Sequence, residues 1–123
     1  MGEAMPTKDN ILSARDTISG QLRETPLQRS PHLERLCESE VFLKLENYQV
    51  TGSFKARGGL NKLCSLDPGE RKRGIIAASS GNHGAACAFG AGRVGSPVTV
   101  CVPTRASPSK VRSEEHTSEL QSQ

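Results

Sequence analysis

Apolar residues recur at Ile11, Ala14, Ile18 and Leu22, a spacing that places them on one face of a helix. Asp9 or Asn10 stands where a cap is needed, and the polar residues 1–10 are expected to be loose. Thr25-Pro26 and Ser30-Pro31 then demand extended or turn geometry. Leu33 and Leu36 mark a short helix or an irregular segment. Val41-Phe42-Leu43-Lys44-Leu45 alternates and reads as a strand, with Val41, Leu43 and Leu45 on one face. Glu46 to Gly52 reads as a loop. Ser53 is a candidate N-cap for a helix carrying Leu60, Leu63 and Leu66, and Asp67-Pro68-Gly69-Glu70 ends that helix in a turn.

The next stretch carries the clearest pattern. Gly74 to Ala78 reads as a short buried strand, and Ser79-Ser80-Gly81-Asn82-His83-Gly84 as a tight polar turn. Ala85 to Phe89 begins a helix of small residues, whose far end Gly90, Gly92 and Gly95 should weaken. Pro97 to Pro103 is a strand bounded by prolines. Strand, turn, helix and strand over about 30 residues make a βαβ unit, so the fold class is α/β with a parallel sheet. Ligands bind such sheets at the carboxyl ends of the strands, which here means the turn from Ser79 to Gly84.

Composition narrows the picture. A chain of 123 residues is one domain or part of one. Leu, Ile, Val and Phe make up about a fifth of it, near the lower edge for an autonomous core. The net charge of +3 is too mild to imply nucleic acid or an anionic membrane as partner. No apolar run approaches the length of a membrane helix, and the N-terminus lacks the pattern of a secretory signal. Cys37, Cys64, Cys87 and Cys101 form no C-x-x-C pair, which leaves a metal site without support. Each lies among apolar neighbours, as buried reduced thiols do, so a cytoplasmic or otherwise reducing compartment is expected. Residues 112–123 break character. Arg112 to Ser122 reads like the translation of a sequencing-library adapter, so the domain is taken as residues 1–111 and the tail as non-native.

Two groups of residues can carry chemistry. In the first, Lys55 opens a helix, where a cation faces the positive end of the macrodipole; an amine without its proton is a nucleophile for a carbonyl. Taken alone, Lys55 reads as a solvent-facing lysine on an amphipathic helix. In the second, backbone N–H groups at a helix start, with the hydroxyls of Ser79 and Ser80, suit a carboxylate or phosphate. Taken alone, this is also an ordinary capped turn, and His83 an ordinary structural histidine.

Together these words resemble the pyridoxal-phosphate enzymes of the tryptophan-synthase β type, specifically the serine/threonine dehydratase and serine racemase group. The matching words are Thr25-Pro26-Leu27, Leu43-Lys44-Leu45-Glu46-Asn47, Gly52-Ser53-Phe54-Lys55-Ala56-Arg57-Gly58, Ser79-Ser80-Gly81-Asn82-His83-Gly84, and Val102-Pro103 with Lys110. They stand in family order and cover most of residues 11–111. The resemblance implies a three-layer parallel-sheet fold of PLP fold type II, here truncated. It implies pyridoxal 5'-phosphate as cofactor, an amino acid as substrate, and a homo-oligomer at full length.

The resemblance also assigns roles. Lys55 would hold the cofactor as a Schiff base and move the substrate's α-proton. Asn82 would hydrogen-bond the ring hydroxyl oxygen, and Phe54 would pack beside the cofactor or serve as core filler. Ser79, Ser80, Gly81, Asn82 and His83 would receive the substrate carboxylate. Ser80 occupies the position of the opposite-face base in racemase-like members, where many dehydratases carry Ala. The implied reaction turns L-threonine or L-serine into a 2-oxo acid and ammonia; a racemase or a β-replacement synthase is the alternative within the family. Gly58 and His83 favour the dehydratase branch over the synthase. The alternative outside it is a non-catalytic anion-binding module. The family's glycine-rich phosphate cup and its pyridine-nitrogen contact have no counterpart before Val111, so the fragment is expected to bind the cofactor weakly and to be inactive alone.

Overall fold

The computed structural model describes residues 5–103; the Lys110 of the last motif and the 112–123 tail lie outside them. Thr7 caps the first helix, α1 (Lys8–Ile18). Its side chain accepts from the Asn10 N–H while the Asn10 side chain accepts from the Thr7 N–H. The cap therefore falls on Thr7, not on Asp9 or Asn10, and Asn10 is the reciprocating residue of the box. Leu22 lies beyond the helix.

Thr25-Pro26 opens a strand, β1 (Leu27–Arg29), and Pro31 fills the first position of α2 (Pro31–Cys37), where its missing N–H costs nothing. The alternating segment is β2 (Phe42–Lys44). It pairs with β1 antiparallel, Leu27 opposite Lys44 and Arg29 opposite Phe42. These two strands form a two-stranded sheet of their own. Within twenty residues the chain reverses across the short α2, a connection that suits an antiparallel pair and not a parallel crossover. One 3-10 turn, Glu46–Tyr48, leads towards α3 (Lys55–Cys64). Asp67-Pro68-Gly69-Glu70 does more than turn the chain. Asp67 and Glu70 form a second reciprocal box, which starts α4 (Pro68–Arg73).

The βαβ unit is present as β3 (Ile75–Ala78), α5 (Asn82–Val94) and β4 (Val98–Cys101), with the strands parallel and Ile75 opposite Val98. Ala77 is buried, Ile75, Val98 and Val100 are half-buried, and α5 packs against both strands. The opposite face, with Ile76, Ala78, Thr99 and Cys101, is exposed; Ile76 retains 80% of its surface. The described residues thus supply the sheet and a helical layer on one side. Cys37 and Cys101 are exposed and Cys64 half-buried, so only Cys87 matches the expectation of buried thiols; all four are free. Cys101 is exposed because strand periodicity puts it on the bare face. Among the described residues no helix is long and apolar enough to cross a membrane.

The core is the junction of α3 with α5, the most extensive contact between elements. Ala56, Leu60 and Leu63 meet an α5 that is buried from Gly84 through Ala91. The helix α5 runs through Gly90 and Gly92 to Val94 and ends on Gly95 at φ 66°. Gly90 is there for packing: a Cβ would stand 2.5 Å from Leu63 Cδ1 and 3.4 Å from Leu60 Cα. On the facing helix, a Cβ at Gly59 would stand 3.1 Å from both the Cβ and the carbonyl oxygen of Ala86.

Neighbouring glycines on α3 should therefore respond oppositely to a methyl group. Gly58 has open space around its would-be Cβ. Gly58→Ala is expected to stabilise the helix by ~0.5–1 kcal/mol through propensity. Gly59→Ala meets the backbone of a buried helix and is expected to cost ~1–2 kcal/mol net of that gain. Denaturant midpoints followed by circular dichroism would show it; equal shifts for the two variants would contradict the packing described.

Candidate active site

The contacts across α3 and α5 set their relative direction. Gly59 faces Ala86, and Leu60 and Leu63 face Gly90, so residue numbers rise together along both helices. The helices run parallel, with their N-termini at the same end. Lys55 is the first residue of α3, four before Gly59; Asn82 is the first of α5, four before Ala86. Each stands about one turn ahead of the contact point.

The start of α3 is built by its preceding loop. Gly52 takes a left-handed φ of 69°, and its N–H donates to the Gln49 carbonyl at 2.8 Å. The buried Gln49 side chain accepts from the N–H of Arg23 at 3.0 Å and donates to its carbonyl at 2.9 Å, which ties this loop to the chain before β1. Ser53 is buried, and its Oγ accepts from the Lys55 N–H at 3.3 Å. The expected capping hydroxyl is thus in use, but from one residue earlier, because Phe54 already has helical dihedrals. Phe54 is 60% exposed, so it is not core filler here. The Lys55 Nζ lies 5.3 Å from its ring centroid, within cation–π range.

The start of α5 sits at the carboxyl ends of the parallel strands, where the Ser79 N–H still donates to the Cys101 carbonyl at 3.0 Å. Ser79 Oγ accepts from the Gly81 N–H at 3.3 Å and shapes the turn. No side chain caps α5. Its ladder begins with the Ala85 N–H donating to the Gly81 carbonyl, so the N–H groups of Asn82, His83 and Gly84 stand ahead of it. Ser79, Ser80 and Gly81 are half-buried, while Asn82 and His83 are exposed. His83 Nε2 lies 3.8 Å from the Sγ of buried Cys87, one turn along.

Sequence patterning assigned no role to a brace behind Lys55. Arg57 donates to Glu46 twice, from Nε to Oε2 at 2.9 Å and from Nη2 to Oε1 at 2.7 Å. The buried Thr25 hydroxyl donates to the same carboxylate, and Lys44 Nζ donates to the Thr25 carbonyl at 2.6 Å. The Arg57 guanidinium holds the Glu46 carboxyl below its ordinary range, against the opposing pull of partial burial, with Thr25 and Lys44 adding to the lowering. The brace locks α3 to the end of β2 and to the Thr25-Pro26 step. Its residues all sit in recognised motif words; their partnership was not readable, because Arg57 and Thr25 are 32 positions apart.

Lys55, Phe54 and the Ser79–His83 turn are thus brought to one end of a packed helix pair. A cleft of about 650 Å3 lies elsewhere, between α1 and α3, and includes none of them. An exposed primary amine, an amide side chain, hydroxyls, unpaired N–H groups and open space beside Gly81 are a donor set that fits an aldehyde-bearing cofactor and a carboxylate. Lys55, Asn82 and Phe54 are the residues that would hold such a cofactor.

Comparison with known proteins defines the family and the fold. Residues 18–116 match the profile of a family described as "Pyridoxal-phosphate dependent enzyme". The chain belongs to that family. It is 42% identical over 107 residues to the L-threonine ammonia-lyase of Thermotoga maritima, covering 87% of this chain and 27% of that protein. It is 39% identical over 107 residues to the serine racemase of Schizosaccharomyces pombe, covering 87% of this chain and 33% of that protein. Its fold superposes on a pyridoxal 5'-phosphate-dependent aspartate racemase with a TM-score of 0.83 and 38% identity, over 95% of this chain and 38% of that one. The fold is therefore that of fold type II enzymes, and the chain spans about a third of the length of these relatives.

The brace has a measurable signature. Glu46 has a lower folded than unfolded pKa, so its contribution is complete above the ordinary glutamate range and is lost as pH falls through the folded value. Arg57→Ala is expected to cost ~1–3 kcal/mol at neutral pH, because it leaves a half-buried carboxylate without its main partner. Glu46→Gln should flatten the dependence of stability on pH below about pH 5. Unfolding curves between neutral and acid pH check both, and an unchanged acid slope in Glu46→Gln would remove the brace from the account.

Proposed function

We propose that this chain supplies the amine and the carboxylate-binding turn of a pyridoxal-phosphate dependent serine/threonine ammonia-lyase. The observation that supports this reading is the register of α3 and α5, in which Lys55 and Asn82 each open a helix four residues before the Gly59–Ala86 contact, with Asn82 following the carboxyl end of β3. The similarity to an L-threonine ammonia-lyase supports the choice of reaction. Bound here, pyridoxal phosphate would supply an aldehyde for the amine and an electron sink for the carbanion left at the substrate's α-carbon.

In this reading each residue has a defined task. Lys55 would hold the cofactor through its amine at rest and, once released, would accept the substrate's α-proton on Nζ. Asn82 orients the ring through its hydroxyl oxygen. The N–H groups ahead of the α5 ladder, with Ser79 and Ser80, bind the substrate carboxylate; they are already fixed in direction, so little reorganisation is needed. Phe54, whose ring centroid lies 5.3 Å from Nζ, would pack beside the cofactor. The substrate's β-hydroxyl would take up a proton and leave as water; the enamine so released tautomerises to an imine, and water hydrolyses that to the 2-oxo acid and ammonia.

A second reading is a racemase, and one residue favours it: Ser80 is half-buried in the turn, and the resemblance gives its position to the opposite-face base of racemase-like members. Similarity to serine and aspartate racemases supports keeping it. A homo-oligomer and a cytoplasmic location belong to the same proposal; the four free cysteines fit a reducing compartment.

Borohydride reduction of a full-length enzyme carrying this segment, mixed with pyridoxal phosphate and followed by peptide mapping, tests the assignment. The pyridoxyl group is expected on Lys55, well above its level on exposed lysines such as Lys8, Lys62 or Lys72. Labelling spread evenly over them, or absent, would overturn it. In an enzyme carrying this segment, Ser80→Ala is expected to abolish interconversion of serine enantiomers and largely spare elimination from the L-substrate. Equal loss of both would refute the role given to Ser80.

A further inference from the structure

His83 and Cys87 lie one turn apart on α5, with Sγ 3.8 Å from Nε2, a distance suited to a hydrogen bond through the larger sulfur atom. Cys87 is 8% exposed, and burial pushes its thiol up, so sulfur keeps its hydrogen. A thiol is a weak donor and a weaker acceptor, whereas an unprotonated imidazole nitrogen accepts well. Of the two ways to fill this contact, S–H donating to Nε2 is thus the stronger. A neutral imidazole carries one ring proton, and the bond made by one nitrogen decides which nitrogen has it.

We propose that Cys87 is a positioning residue for His83: its S–H donates to Nε2 and holds the ring proton on Nδ1. Nε2 is directed along α5 towards its second turn. Nδ1 is the ring nitrogen nearer the main chain of His83, the second residue of the helix. The pair therefore turns His83 into a donor at a helix start whose N–H groups already stand ahead of the ladder. The opposite tautomer would place a lone pair there, which would repel an anion. The consequence for a substrate carboxylate rests on the function proposed above; the tautomer does not.

Long-range 1H–15N correlation spectra of the 15N-labelled chain at about pH 8, above the ordinary histidine range, read the tautomer directly. A His83→Gln variant identifies the resonances. The Nδ1–H form is expected to dominate at His83. Cys87→Ala should lower the ratio of Nδ1–H to Nε2–H about three- to tenfold, the scale of one hydrogen bond, and Cys87→Ser should restore part of it. An Nε2–H form in the unaltered chain, or a ratio that Cys87→Ala leaves unchanged, overturns the proposal. Random-coil backbone shifts across 82–94 also overturn it, because the pair exists only on a helix. No cofactor is present in this measurement. Failure of the Lys55 labelling and failure of the tautomer assignment are therefore separate results.

Discussion

Gly59 and Gly90 hold α3 against α5 at a separation that an added methyl group would disturb on either side. That close approach buries a helix of small residues along most of its length, and it sets the two helices parallel. Everything chemical in the chain follows from this register. Lys55 and Asn82 sit 27 positions apart in sequence and reach one end of the fold because each opens its helix the same distance before the contact. Packing between backbones thus performs the placement that a shared loop would otherwise have to supply.

The helix start is then held by charge and by hydrogen bonds. Arg57 sits two residues after Lys55, and its fork on Glu46 ties the first turn of α3 to the end of β2. Thr25 closes the network from the far side, and Gln49 clamps the loop to Arg23. Such partly buried networks give geometry more than they give stability, because pairing charges removes water from both. For the role proposed for Lys55, geometry is the useful product. The α5 terminus reaches the same end differently. It uses no side-chain cap, which leaves its N–H groups free to meet an anion.

Exposure follows the same logic. Phe54 and Ile76 are large apolar groups open to solvent, one beside the amine and one on the bare face of the β3–β4 pair. In the relatives, the matching stretch accounts for about a third of the chain.

The order of elements was legible in the sequence because it rests on local physics. Periods of 2 and 3.6 and small-residue runs marked three of the four described strands and three of the helices, the X-Pro steps left Leu27–Arg29 as extended or turn, and motif words named the amine and the turn. Local physics also has limits. The cap moved from Asn10 to Thr7 because reciprocal bonding chooses between adjacent polar residues. A turn at Asp67-Pro68 proved to be a helix start, since the same box chemistry serves both. The antiparallel β1–β2 pair, the Glu46–Arg57–Thr25 brace and the His83–Cys87 contact depend on which surfaces meet. The meaning of Gly90 reversed for the same reason: intrinsic propensity counts a glycine as a defect, while a neighbouring helix requires it. Residue identity determined the chemistry available, and only the packing of α3 on α5 decided that those groups share one place, because proximity between distant positions is a property of surfaces and not of the local chain.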